Sequence, residues 1–293
     1  MSETRTHGTT KGAAPPRALI ITLYGLYSRE IGGWLSVRSL IRLLAEVGVD
    51  SQSVRSAVWR LKQRGLLVPE KRDRMAGYTL SSRASDVLFE GDQRIFQRSR
   101  TGTGHQWLLA VFSVPESERD KRHKLRALLT RLGFGTVSAG AWIAPAHVED
   151  IARETLGRAG LTEYLDLFRA EHLGFRPLRE QVSRWWDLES LNLMYSDIVA
   201  GYRPTLDAWN DCVHDDAMAF ADYVGLLTSW RRLPYLDPGL PTDLLPDDWR
   251  GAEAAETFFE LRDRIALPAR RHAASKAPEI AFDPPRVCHT PEA

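Results

Sequence analysis

The sequence predicts a multidomain α+β chain, and three observations carry that prediction. Residues 17–98 place apolar residues at helical spacing three times over and then hold two short strand-like runs. Residues 105–172 alternate strand-like and helix-like segments in the order β-α-β-β-α-β. Residues 173–267 read mostly as helix. A chain of 293 residues with 43% apolar and 26% charged residues has the make-up of a globular protein large enough for two or three domains. Residues 1–16 are polar with Gly, Thr and Pro, and are expected to form a disordered tail. Residues 268–293 are expected to form a second, Pro-containing tail.

In the first domain, Arg17 to Glu30 puts Leu19, Ile20, Leu23, Leu26 and Tyr27 at helical spacing, and Gly32-Gly33 ends the run. Trp34-Leu35 begins a short extended piece. Ser36 is placed to cap a helix from Val37 to Val47, with a stripe of Val37, Leu40, Ile41, Leu44 and Val47. After the Gly48-Val49-Asp50 turn comes a third helix, Ser51 to Arg64. Val54, Val58 and Leu61 fall there at i, i+4 and i+7 with Ala57 beside them. Asp50 or Ser51 is its N-cap and Gly65 stands where a helix-ending glycine belongs. Leu66 to Val68 and Gly77 to Leu80 are strands joined by a basic hairpin, Pro69 to Ala76. A fourth helix, Arg83 to Gln97, leads into a Gly/Thr/Ser linker at Ser99 to Gly104. Three helices followed by a hairpin make a winged helix-turn-helix.

In the second domain, Trp107 to Val114 is a continuous apolar run of strand length. Glu118 to Leu132 is a basic amphipathic helix, with Leu125, Leu128, Leu129 and Leu132 inside. Thr136 to Ser138 and Ala141 to Ala144 are short strands, and His147 to Ala159 is a helix. Tyr164 to Ala170 closes the order as a strand, although its residues suit a helix equally. This is the order of a ferredoxin-like sandwich. Beyond it, helices are predicted at Pro177 to Trp186, Leu188 to Val199, Cys212 to Arg231 and Ala252 to Leu267, with a Pro-rich loop at Leu233 to Asp248.

A net charge of +1 hides an asymmetry. Residues 17–100 carry 15 Lys and Arg against 8 Asp and Glu, whereas residues 171–293 carry 13 against 21. A basic first third is the footprint of a nucleic-acid module, and an acidic last third would repel DNA. The polar face of the third helix carries Ser53, Arg55, Ser56, Arg60, Lys62 and Gln63. Arginine forks match the acceptors of guanine, and small serines let a helix approach base edges. Ser51, Trp59 and Arg64 of that helix and Arg38 of the helix before it join the predicted DNA-contact set. Lys71, Arg72 and Arg74 of the wing complete it, placed for phosphate or minor-groove contact.

Several stretches in their order resemble the PaaX family of bacterial transcriptional repressors of phenylacetate catabolism. They are Arg17 to Gly25 (RALIITLYG), Val54 to Leu61 (VRSAVWRL), Gly77 to Leu80 (GYTL), Trp107 to Val114, Trp186-Asp187-Leu188, Trp230 to Pro241 (WRRLPYLDPGLP), Leu244-Leu245-Pro246 and Trp249. The resemblance spans about residues 17–267. It implies a homodimeric repressor that holds a double-stranded DNA operator and is released by an aryl-coenzyme A thioester such as phenylacetyl-CoA, with no cofactor. An aryl acyl group needs an apolar pocket, and Trp185, Trp186 and Tyr195 gather aromatic area in the acidic third. Arg176, Arg179 and Arg184 are cations able to meet its phosphates.

Other chemistries find less support. The second domain is also similar to the small ribonuclease-like component of CRISPR adaptation complexes, in which an Asp ending the first strand holds a divalent metal. Here that place is Ser113, a poor ligand for a hard cation. A metal-dependent nuclease and an enzyme acting on a CoA thioester are therefore the alternatives, and neither has a catalytic constellation in the sequence. His214-Asp215-Asp216 are adjacent on a helix and point about 100° apart, so no metal is expected. Cys212 and Cys288 form no CxxC and no disulfide framework, which suits a reducing cytoplasm. The longest apolar runs are too short to span a bilayer.

Overall fold

The computed structural model describes residues 14–96, 106–211 and 215–280. The expected tail up to residue 13, the linker at 99–104, Cys212, His214, Cys288 and the expected tail beyond 280 lie outside the described residues. The chain divides into two compact units. Of the described residues, one unit holds 14–90, those of 207–229 and 260–280, and the other holds those of 91–206 and 230–259.

The first unit begins with α1 (Pro16–Leu23), whose Leu19, Ile20 and Leu23 are buried. The helix does not run on to Glu30 as its spacing predicts. It widens into a π-helical turn at Tyr24–Ser28 and tightens into a 3-10 turn at Arg29–Ile31. Polar side chains compensate the carbonyls that this shift frees. Ser28 Oγ donates to the Tyr24 carbonyl at 2.9 Å, and the Arg29 guanidinium donates twice to the Gly25 carbonyl at 3.1 and 3.0 Å. Next come β1 (Trp34–Ser36), α2 (Val37–Ala45), α3 (Ser51–Gln63), β2 (Leu67–Arg72), β3 (Met75–Leu80) and α4 (Ser82–Phe96). The strands form an antiparallel sheet in the order β1-β3-β2. This is the expected winged helix-turn-helix. In α2, Leu43 joins Leu40 and Leu44 in full burial, while Val37, Ile41 and Val47 are half-buried.

Trp34 anchors the sheet. Its indole N–H donates to the Glu70 carbonyl at 3.2 Å, and its ring lies where a side chain on Gly77 would stand. A Cβ at Gly77 would come within 2.4 Å of that ring and 2.6 Å of the Leu35 carbonyl. Residue 77 is therefore glycine because β1 crosses it closely.

The second unit contains β4 (Trp107–Phe112), α5 (Arg119–Arg131), β5 (Gly135–Ser138), β6 (Ala141–Pro145), α6 (Glu149–Arg158) and β7 (Leu165–Ala170). The antiparallel order β5-β6-β4-β7 is the ferredoxin-like arrangement, and residues 165–170 are strand. Leu108, Ala110 and Phe112 of β4 pack with Leu125 and Leu129 of α5 and with Ala152 and Leu156 of α6. Trp107 belongs to a second cluster, with Ile143, Val182, Trp186 and Leu240. Apolar partners on both faces explain why β4 reads as an unbroken apolar run.

The remaining elements are α7 (Leu178–Trp185), α8 (Leu188–Asp211), α9 (Asp216–Trp230), α10 (Leu233–Leu236) and α11 (Gly251–Lys276). Two of them outrun their predicted ends. The helix α8 passes Val199 and carries Pro204 inside it, and α11 passes Leu267 and carries Pro268. An interior proline costs about 3 kcal/mol. Burial of Leu206 beyond the first, and of Ala269, Ala273 and Ala277 beyond the second, favours continuation.

The end of α11 belongs to the first unit and holds α2 at both ends. His272 Nε2 and Lys276 Nζ lie 2.9 and 3.0 Å from the Glu46 carboxylate, just past the last turn of α2. At the other end, Glu279 accepts the Ser36 backbone N–H at 2.9 Å, and Ser36 Oγ caps α2 by accepting the Ser39 N–H at 3.0 Å. A carboxylate at a helix N-terminus also gains from the helix dipole. The chain beside Glu279 is itself buried, with Ile280 3% exposed.

Replacing Gly77 by Ala is expected to lower stability by about 1–3 kcal/mol through overpacking against Trp34, read as a lower urea midpoint. The two carboxylates that hold α2 predict an acid-labile contact. Burial alone would raise Glu46, but hydrogen bonds from Lys276 and His272 bring it below its ordinary value. Burial is likewise outweighed at Glu279 by the hydrogen bonds from Ser36 and Ser39. A lowered folded-state pKa gives stability that is present above the ordinary carboxylate value and lost as pH falls through the folded value. Unfolding midpoints of the wild type should therefore drop on acidification below the ordinary glutamate value, and the Glu46→Gln/Glu279→Gln variant should show a smaller drop.

Candidate nucleic-acid interface

The third helix is bounded by side-chain and backbone caps. Asp50 Oδ1 accepts the N–H groups of Gln52 and Ser53, each at 2.9 Å, so Asp50 is the cap and Ser51 is the first helical residue. Hydrogen bonds from Ser53 hold the exposed Asp50 carboxyl below its ordinary range. At the other end, Leu66 N–H donates to the Leu61 carbonyl and Gly65 N–H to that of Lys62, with Gly65 at φ 66°. That is a Schellman cap.

Between these caps, Val54, Ala57, Val58 and Leu61 are buried. The opposite face therefore presents Ser51, Arg55, Ser56, Trp59, Arg60, Lys62 and Arg64 to solvent, while Ser53 is half-buried. Arg38 of α2 is exposed, and so are Lys71 and Arg74 of the wing. The side chains of Arg38, Arg55, Arg60, Lys62, Arg64, Lys71 and Arg74 form no ion pair or side-chain hydrogen bond among the described residues. A group of cations left unpaired by its own protein is the electrostatic complement of a polyanion.

Arg72 differs from the rest of the predicted set. Its guanidinium lies 5.4 Å from the centre of the Trp34 ring, 2.7 Å from the Glu70 carboxylate and 3.3 Å from the Ile31 carbonyl. Its side chain ties the tip end of β2 back to the start of the sheet. The tip is a two-residue turn, Asp73-Arg74, with both residues at positive φ (47° and 67°). Left-handed backbone at a non-glycine residue costs about 1–2 kcal/mol. Here it falls on an exposed cation at the far end of the hairpin.

The basic helix α5 is a weaker anion surface than its sequence suggests. Lys121 is bonded to Glu118 and Tyr164, and Arg122 to Glu116 and the Val114 carbonyl. Lys124 and Arg126 donate to the carbonyls of Ala159 and Ala139. Ser113 is exposed at the end of β4, and no group of three His, Cys, Asp or Glu able to hold a metal occurs among the described residues.

The predicted effector residues differ in their surroundings. Trp186 is buried, donates its indole N–H to the Gly133 carbonyl at 2.9 Å and stacks on Trp107. Tyr195 donates to the Asp237 carboxylate at 2.6 Å. Arg179 is bonded to Asp247 and to the Leu245 carbonyl, each at 2.6 Å, and so pins the Pro-rich loop. Arg184 is exposed. Arg176 lines a cavity of about 800 Å³ whose walls include Trp107, Arg169, His172 and Leu178. Trp185 packs edge-on against two of those walls, Trp107 and His172. Trp107, Arg169 and His172 escaped sequence reasoning because two sit on strands or their ends and read as framework.

Three family models match the chain in order. They are "PaaX-like protein" over residues 15–84, "PaaX protein central Cas2-like domain" over 100–182 and "PaaX-like protein C-terminal domain" over 186–275. The chain belongs to the PaaX family. It is 25% identical over 264 residues to the "Transcriptional repressor PaaX" of Escherichia coli (strain K12), covering 88% of this chain and 83% of that protein. On that homology this PaaX-family chain is a regulator and not an enzyme. Its fold is similar to that of "Uncharacterized protein Rv0674 from Mycobacterium tuberculosis", with a TM-score of 0.55, 21% identity and coverage of 88% of this chain and 98% of that one. No helix among the described residues is long and apolar enough to cross a membrane.

Two outcomes follow for the interface. Arg55→Ala and Arg60→Ala are each expected to weaken binding to the preferred duplex by about 1–3 kcal/mol where the side chain meets a guanine; equal losses on random DNA would instead assign it to phosphate. Arg74→Gly relieves the left-handed strain, so it should raise the urea midpoint, by roughly 1 kcal/mol of stability, while lowering DNA affinity. The paired measurement of unfolding and binding checks both signs.

Proposed function

We propose that this chain is a sequence-specific DNA-binding transcriptional repressor that acts in the cytoplasm as a homodimer. Two copies of α3 enter successive major grooves at half-sites about 34 Å apart or a multiple of that. Wing residues Lys71 and Arg74 hold phosphates, and an aryl-CoA thioester such as phenylacetyl-CoA releases the operator. The observation that carries the reading is the outward face of α3, where Arg55, Arg60, Lys62 and Arg64 stand exposed beside Arg38, Lys71 and Arg74, all without a side-chain partner among the described residues. Membership of a family with a repressor as relative supports repression rather than activation. The cavity beside Trp107 supports an effector with both apolar and anionic parts, because Arg176 lines it beside Leu178.

The test is fluorescence anisotropy on the chain's own upstream intergenic DNA, at about 50 and 200 mM salt, with and without phenylacetyl-CoA. Tight binding that weakens with salt and is abolished by the thioester is the expected result. Binding no tighter than to random duplex overturns the regulator reading. Tight binding indifferent to the thioester overturns the effector alone.

A further inference from the structure

Trp59 is the only exposed large apolar side chain of α3 among the described residues, at 59% exposure. It stacks on no ring, meets no cation and makes no side-chain hydrogen bond among them. The indole therefore has no ring, cation or hydrogen-bond partner within the described fold. Its position is central to the outward face. Arg55 and Ser56 lie one turn toward the N-terminus, and Lys62 and Gln63 one turn toward the C-terminus. Helical side chains lean toward the helix N-terminus, so the indole covers the turn of Arg55 and Ser56. That turn is in the half of a recognition helix that meets base edges.

The chemistry of the side chain narrows what it can read there. An indole has one N–H donor, no acceptor and a broad apolar surface. It cannot accept from the amino groups that adenine and cytosine show in the major groove. The apolar group a base pair presents in that groove is the C5 methyl of thymine. Resting on the DNA-binding reading above, we infer that Trp59 is a specificity residue that packs on a thymine methyl in each half-site. Arg55 and Ser56 address the positions beside that thymine.

The experiment uses the full chain. Duplexes that it binds are enriched from a random pool, and each thymine of the enriched half-site is replaced in turn by deoxyuridine, which lacks only the methyl. Affinities are measured for the wild type, Trp59→Ala and Trp59→Phe. At one thymine the wild type should weaken about fourfold on losing the methyl, the size expected for one buried methyl. Trp59→Phe should retain part of that penalty, and for Trp59→Ala it should shrink below about twofold. Trp59→Ala should also stay close to the wild-type unfolding midpoint, because the side chain is largely exposed and has no ring, cation or hydrogen-bond partner among the described residues. A wild type indifferent to uracil at every position, or an equal uracil penalty in Trp59→Ala, overturns the inference and leaves the regulator standing. Enrichment of no duplex overturns the DNA-binding reading and this inference with it.

Discussion

Burial of Val54, Ala57, Val58 and Leu61 sets the rotation of α3 about its own axis, and the character of the interface depends on that rotation. Each large apolar side chain removed from water contributes about 1.5–3 kcal/mol. Exposed like charges one turn apart oppose the fold by only a few tenths of a kcal/mol. The apolar seam therefore wins, and the helix must turn Arg55, Trp59, Arg60 and Lys62 outward whatever their mutual repulsion. Asp50 and the Gly65 cap fix where the helix starts and stops, so the outward face has defined ends as well as a defined direction.

The cations of the chain sort into two populations by their partners. Lys121, Arg122, Lys124 and Arg126 of α5 are absorbed by nearby carboxylates and by carbonyls at strand and helix ends. Those of α2, α3 and the wing tip are not. Within the wing the division falls between neighbours: Arg72 is spent on Trp34 and Glu70, and Arg74 is left free on a strained turn. A rigid base with a free charged tip suits a hairpin that must present a cation at a fixed distance from α3. Composition shows the excess of positive charge but cannot show which charges remain unpaired.

The winged helix was legible because its signals are local. Ser36 and Asp50 cap the helices expected of them, and the glycine at 65 ends α3. The ferredoxin-like order was legible because short strands and amphipathic helices alternate. What escaped depended on contacts distant in sequence. The π-helical turn at Tyr24–Ser28 is the exception, a local feature whose Arg29-to-Gly25 hydrogen bonds leave no trace in apolar spacing. The prolines in α8 and α11 read as stops, yet burial beyond them outweighs the missing N–H. The aromatic residues expected around an effector were drawn correctly as apolar but not as occupied: Trp186 and Tyr195 spend their polar atoms on Gly133 and Asp237. Aromatic composition alone does not separate a pocket wall from framework; the partner of the indole N–H or phenol O–H does.

The same distance effect hid the role of the last described residues. A Pro-containing stretch beyond Leu267 looks dispensable in sequence, yet His272, Lys276 and Glu279 meet both ends of α2. That contact differs in kind from the seam beneath α3. The seam is apolar and insensitive to pH and salt, so it keeps α3 formed under all conditions in which the unit is folded. The α2 contact combines partly buried polar pairs at Glu46 with a backbone hydrogen bond at Glu279, each worth about 1–3 kcal/mol at most. Interactions of that size are small against the stability of a domain but comparable to the free energies by which ligands shift conformational equilibria. The part of the winged unit open to modulation is thus the placement of α2 at its two ends, not the integrity of α3.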